Sequence, residues 1–175
     1  MKGIVKWVLL VVVAVIPMSG IYVLNNKGLV AEIFMDTGGF QPGEGFPFAV
    51  GKEIAGTELN LEAYKGKKFV AMIASSTCEV CKSSYPTIKQ WDQLYPEMPL
   101  VMIGIGGKEE YSEVKQKFQF PFPILHADDA IQQTYRMKVT PVFYVVDQNG
   151  VVQDRMNGFR VKDFREFMEK AGEKS

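Results

Sequence analysis

The chain carries only two cysteines in 175 residues, and they stand together as Cys78-Glu79-Val80-Cys81. The pair falls where an apolar, strand-like run meets a run of helical spacing. Vicinal cysteines at the start of a helix can close and reopen a disulfide, and the helix end lowers the thiol pKa that governs the exchange. Two cysteines in a chain this long do not make a disulfide scaffold, and a lone CxxC beside a strand–helix alternation points to redox chemistry. One competing use of the motif is half a structural zinc site. That use needs two further ligands, and the sole histidine, His126, cannot complete the set. A purely structural disulfide is the other, but so short a loop removes little chain entropy and stabilises little. No metal and no cofactor are expected.

The charge balance narrows the partners. Lys plus Arg and Asp plus Glu number 20 each, so the formal charge is zero. No basic stripe stands out, which argues against nucleic acid.

The apolar content is concentrated at the N-terminus. Residues Ile4 to Leu24 form a run in which Lys6 is the only charge, long enough to cross a hydrocarbon core as a helix. Lys2 and Lys6 lie ahead of its apolar body, so the positive-inside rule puts the N-terminus in the cytoplasm and the rest outside. Residues 1–24 are therefore expected to be a single transmembrane anchor. A cleaved signal peptide is the alternative, with Val8 to Ile16 as its apolar core, but no clean small-x-small cleavage site appears near Pro17-Met18-Ser19-Gly20. Either way the domain stands where disulfides persist.

Residues 25–45 read as a linker, dense in Gly and Pro from Gly38 to Gly45, and a folded domain is expected over 46–175. Lys68 to Ala74 and Pro99 to Ile105 are short apolar runs suited to buried parallel strands. Cys78 to Leu94 has helical spacing, with Tyr85, Ile88, Trp91 and Leu94 at three-residue steps and Pro86 inside. Further helices are expected over Glu109 to Phe118 and Asp128 to Tyr135, the latter capped by an aspartate. The proline-broken stretch Phe120 to Ile124 reads as a short edge element. Val142 to Val146 and Val151 to Arg155 flank an Asn149-Gly150 turn and form a hairpin. Val161 to Ala171 is an amphipathic helix with Val161, Phe164, Phe167 and Met168 on one face. Strands alternating with helices and closing on a hairpin define an α/β sandwich with a mixed central sheet.

Residues Phe46 to Lys170 resemble the thioredoxin fold, and within it the membrane-anchored, extracytoplasmic TlpA/ResA-like thiol–disulfide oxidoreductases, which are related to the AhpC/TSA proteins. The CxxC after a buried strand carries the resemblance. So do Pro86, five residues after the second cysteine, the segment Tyr135 to Phe143 around Thr140-Pro141, and the lead-in Leu61 to Lys67. The resemblance implies a thioredoxin-like sandwich, a redox-active disulfide between Cys78 and Cys81, and a cis bond at Thr140-Pro141 that leaves the Thr140 backbone free to pair with substrate. It also implies disulfide-bearing protein substrates, such as apocytochrome c in cytochrome c biogenesis or proteins of envelope and spore assembly. The electron donor would be a membrane thiol transporter of the CcdA/DsbD kind.

Cys78, at the helix start, is expected to attack, and Cys81, one turn in, to resolve the mixed disulfide. The helix dipole favours the Cys78 thiolate, while Glu79 opposes it as a nearby negative charge, a balance expected of a reductant rather than a strong oxidant. Three departures stand out. Thr77 replaces the usual Trp before the first cysteine, Met72 stands where thioredoxin has a buried Asp, and Ser84 stands where ResA-like proteins carry a Glu. A peroxiredoxin would need Thr and Pro where Ser75 and Ala71 stand. A Sco-like copper chaperone would space its cysteines by three residues and add a distal histidine. A non-catalytic binding module remains the other alternative.

Overall fold

The computed structural model describes residues 36–173, so the anchor expected over 1–24 lies outside the described residues. Among the described residues no helix is long and apolar enough to cross a membrane.

The domain is a seven-stranded mixed sheet covered on both faces. Its strands are β1 (Val50–Glu53), β2 (Glu58–Asn60), β3 (Phe69–Ser75), β4 (Leu100–Ile105), β5 (Ile124–Ala127), β6 (Val142–Val146) and β7 (Val152–Asn157). Its helices are α1 (Glu79–Leu94), α2 (Lys108–Phe118), α3 (Asp129–Tyr135) and α4 (Val161–Glu173), with a 3-10 turn at Leu61–Tyr64. The strand order is β2-β1-β5-β4-β3-β6-β7. β3, β4 and β5 run parallel through crossover helices, while β6 returns antiparallel beside β3. This is the sandwich expected from the alternation of strands and helices.

β3 sets the layers. All of its residues but Ser75 are buried, and they alternate between two cores. Val70, Met72 and Ala74 face α1 and α4, among Cys81, Tyr85, Ile88 and Phe164. Phe69, Ala71 and Ile73 face the other layer, with Leu61, Ile131 and Tyr135. Met72, in the place of a buried acid, is simply core. α1 begins at the C-terminal end of β3, so the cysteine pair sits at the rim of the sheet's parallel core. Pro86 lies inside α1, which continues through it.

Three expectations need correction, and one pair of strands was not foreseen. The stretch from Phe120 does not make an edge element: β5 begins at Ile124 and lies inside the sheet between β1 and β4. Pro121 and Pro123 precede the strand, and Pro123 contributes only its carbonyl, which accepts from Met102 N at 3.1 Å, so no missing N–H breaks the ladder. Leu94 is 71 % exposed. Nine residues at about 100° each carry it half a turn from Tyr85, so a strict three-residue step drifts off the buried face. Val161, at the first position of α4, is likewise half exposed, while Phe164, Phe167 and Met168 are buried. Finally, the hairpin strands β1 and β2 escape a reading for alternation, being short and half exposed.

Residues 38–45 have no regular element of their own, yet they are fastened to the domain. Gly39 N donates to Arg136 O at 3.0 Å, and Gly43 N to Val152 O at 2.8 Å. Phe40 N donates to the Tyr144 hydroxyl, and the Phe40 side chain is buried against Phe46, Tyr135 and Tyr144. Packing thus begins about eight residues before Phe46, where the sequence places the end of a linker.

Candidate active site

Cys78 is the N-cap of α1, in extended conformation, with its sulfur accepting from Cys81 N at 3.1 Å. The cap position turns the chain sharply out of β3 and presents the sulfur beyond the helix end. Cys78 and Cys81 are joined as a disulfide with their Cα atoms 5.2 Å apart. The two sulfurs are not equivalent. Cys81 is fully buried, whereas Cys78 keeps part of its surface in solvent. An attacking group from outside therefore meets Cys78 first.

The opposite wall of the site comes from the segment ahead of β6. The Thr140–Pro141 peptide bond is cis, and the Thr140 carbonyl oxygen lies 3.4 Å from Cys78 Sγ. In the disulfide that sulfur bears no hydrogen; in the dithiol it can donate to Thr140 O. A thiolate there would be stabilised by the Cys81 N–H and the α1 terminus and opposed by the carbonyl dipole of Thr140. Glu79 has less leverage. Its side chain is 83 % exposed and paired with Lys82 Nζ at 2.7 Å, so solvent and its partner screen its charge.

Beneath the disulfide the surroundings are apolar except for hydroxyl groups. Ser84, at the position where the resemblance places a Glu, is fully buried and donates to Cys81 O at 2.6 Å, so its hydroxyl is spent within the helix. Tyr111 donates to Ala74 O at 2.7 Å. Tyr85, one turn below Cys81 on the buried face of α1, has a hydroxyl with no partner, as does Ser76. Burial pushes the Tyr85 phenol up to about 12. Burial also raises Tyr111, with the nearby Tyr85 adding to it. No carboxylate occupies this layer among the described residues. The i, i+4 spacing of Cys81 and Tyr85 was readable in the sequence; that the hydroxyl has no partner was not.

The remaining residues near the rim pack rather than react. Ser75 and Thr77 share a hydroxyl contact at 3.1 Å. Gly106, at φ 115°, lets the loop after β4 press against Ser76. His126 bonds through Nε2 to Gly106 O at 3.0 Å. Among the described residues no group of three or more His, Cys, Asp or Glu side chains is placed to hold a metal ion.

Sheet order, cis-proline and a disulfide at the start of the first long helix together define a thioredoxin-like α/β protein with a CxxC centre. The sequence profile of the AhpC/TSA family matches residues 42–155, well over half of the chain, and the protein belongs to that family. Among curated proteins, the chain is 26 % identical over 121 residues to the thioredoxin-like protein YneN of Bacillus subtilis, covering 66 % of this chain and 71 % of the relative. It is 22 % identical over 137 residues to the thiol-disulfide oxidoreductase ResA of Geobacillus thermodenitrificans, covering 76 % and 79 %. A thiol:disulfide interchange protein from Chlorobium tepidum superposes with a TM-score of 0.65 at 19 % identity, over 75 % of this chain and 97 % of that one. A secreted Mycobacterium tuberculosis disulfide oxidoreductase homologous to DsbE gives 0.63 at 19 %, over 71 % and 94 %. At these identities the solved structures establish the fold.

Proposed function

We propose that this protein is a thiol–disulfide oxidoreductase that exchanges its Cys78–Cys81 disulfide with disulfides and dithiols of extracytoplasmic proteins, acting as a reductant. The carrying observation is the asymmetry of the pair: a partly exposed cysteine at a helix cap is bonded to a fully buried one a single turn deeper. That arrangement suits the two halves of the exchange. The Cys78 thiolate attacks a target disulfide and forms the mixed disulfide, releasing the first target sulfur as thiolate. Cys81, shielded from competing thiols, then loses its proton and attacks Cys78 Sγ, so the second target sulfur leaves and the protein is oxidised. The names of the ResA relatives support the same chemistry.

The Thr140 backbone, beside Cys78, is the proposed contact for the target polypeptide. The apolar run over Ile4–Leu24 supports a single-pass anchor with the domain outside the cytoplasm. A domain so placed needs electrons delivered across the membrane, and a thiol transporter of the CcdA/DsbD kind is the proposed donor.

The deciding experiment is the reduction potential of the protein equilibrated against glutathione and dithiothreitol buffers. A value at or below about −250 mV supports the reductant, and one above about −180 mV reverses the direction to an oxidant. A disulfide that no buffer reduces reversibly overturns the enzyme and leaves a binding domain.

A further inference from the structure

Burying a hydroxyl without a partner costs free energy that a phenylalanine of the same shape would not, so such a group in a packed core calls for an explanation. Tyr85 is one. It is fully buried, its ring is fixed edge-on against Phe118 and Phe120 at 5.5 Å each, and its hydroxyl finds no acceptor in the disulfide-bonded protein. Tyr111, in the same core, shows the contrast: its hydroxyl is spent on Ala74 O.

The placement of Tyr85 supplies the explanation. It follows Cys81 by four residues, so the two side chains are neighbours on the buried face of α1. Aromatic side chains on a helix lean toward its N-terminus, which carries the Tyr85 ring over the turn that holds Cys81. In the disulfide, Cys81 Sγ is tethered to Cys78 at the rim. Reduction cuts that tether, and two sulfurs held at bonding distance must move apart to van der Waals separation. Cys78 is the cap at the surface, whereas Cys81 is fully buried and belongs to the same core as Met72, Ala74, Tyr85 and Tyr111. Released from the tether, the Cys81 sulfur is free to rotate toward that core.

We propose that Tyr85 is a redox-linked hydrogen-bond donor, with a hydroxyl left unpaired in the disulfide form and donated to Cys81 Sγ in the dithiol form. This rests on the oxidoreductase reading above and names a residue within it. The balance is simple: the protein disulfide and two glutathione thiols give the dithiol and glutathione disulfide, and Tyr85 keeps its own proton throughout. Because the bond exists only after reduction, it stabilises the dithiol and raises the potential. It also stabilises the Cys81 thiolate during resolution. Tyr85 thus performs, as a neutral donor, part of what a buried acid could do from the positions held by Met72 and Ser84.

The test is Tyr85→Phe in the full chain, equilibrated with glutathione beside the wild type and Tyr111→Phe. The expected result is a roughly tenfold smaller equilibrium constant for reduction, about 30 mV more reducing, together with undiminished thermal stability of the oxidised form. Tyr111→Phe, which loses a satisfied bond, is expected to lower stability and leave the potential in place. Site-specific 3-fluorotyrosine at position 85, a stronger donor, shifts the potential the other way. An unchanged potential in Tyr85→Phe, or an equal shift in both phenylalanine variants, overturns the proposal. A wild type that does not exchange with glutathione at all instead overturns the oxidoreductase reading.

Discussion

The sulfur of Cys78 lies 3.4 Å from the carbonyl oxygen of Thr140, a residue 62 positions further along the chain. The contact joins the two segments singled out in the sequence, the helix start and the proline-bearing loop before β6. It places a backbone dipole beside the sulfur that faces solvent. An incoming target therefore meets a reactive atom and a polypeptide edge at the same place, which suits a protein substrate.

The unequal burial of Cys78 and Cys81 predicts separate roles for them. Cys81→Ala is expected to leave Cys78 able to attack, so that covalent mixed disulfides with target proteins accumulate on non-reducing gels. Cys78→Ala, with only the buried sulfur left, is expected to form none and to lose turnover. Equal trapping by both variants would contradict the assignment.

Glu79 should matter little. It is 83 % exposed and paired with Lys82, and exposed ion pairs contribute less than about 1 kcal/mol. Glu79→Gln is expected to change the glutathione equilibrium by less than about fivefold, toward the reduced form. A larger change would restore the tuning role expected from its place between the cysteines.

Gly106 needs its lack of a side chain. Its φ is 115°, and an added Cβ would stand 2.2 Å from Ser76 Oγ, two residues before Cys78. Gly106→Ala is expected to cost about 1–3 kcal/mol in denaturant unfolding. The same change should alter the exchange rate, because the clash falls on the segment that leads into the helix cap.

The sheet's central strands and the cysteine site were legible because their signals are local. A continuous apolar run such as Phe69–Ala74 can be buried on both sides, and CxxC followed by a helical pattern fixes which end of the strand carries the chemistry. What escaped was set by distant partners. β1 and β2 give no strong apolar signal because they are short and lie at the margin of the sheet, where β1 pairs with β5 and β2 with β1 alone. The glycine-rich stretch before Phe46 looks like linker because its backbone bonds go to residues about a hundred positions away, and only Phe40 betrays it. Tyr85 read as core, and it is core; that its hydroxyl is unpaired depends on every neighbour at once.

Phe40 measures how far that N-terminal strap belongs to the domain. Its ring is 5 % exposed and meets Phe46, Tyr135 and Tyr144 edge-on, with the Arg136 guanidinium 5.0 Å from its centre. Phe40→Ala is expected to destabilise the domain by about 3 kcal/mol or more in urea unfolding. A loss below about 1 kcal/mol would return residues 38–45 to the status of a linker.

Alkaline pH should unfold the protein through its buried phenols. Burial raises Tyr85 from 10.0 to about 12, and it raises Tyr111, Tyr135 and Tyr144 as well. Below pH 10 these groups are protonated in both the folded and unfolded chain, and they add no pH dependence. Above it the unfolded chain releases their protons while the folded chain holds them. The unfolded state then binds fewer protons, and stability falls as pH rises, by up to about 1.4 kcal/mol per pH unit for each such tyrosine. The window runs from about pH 10 to 12 for Tyr85 and continues upward for the more strongly shifted groups. Urea midpoints at pH 8 and pH 9 should therefore agree, and the midpoint at pH 11 should be clearly lower. Phenolate absorbance should show four of the seven tyrosines ionising only as the fold is lost; early ionisation of all seven would mean that the core beneath Cys81 is open to water.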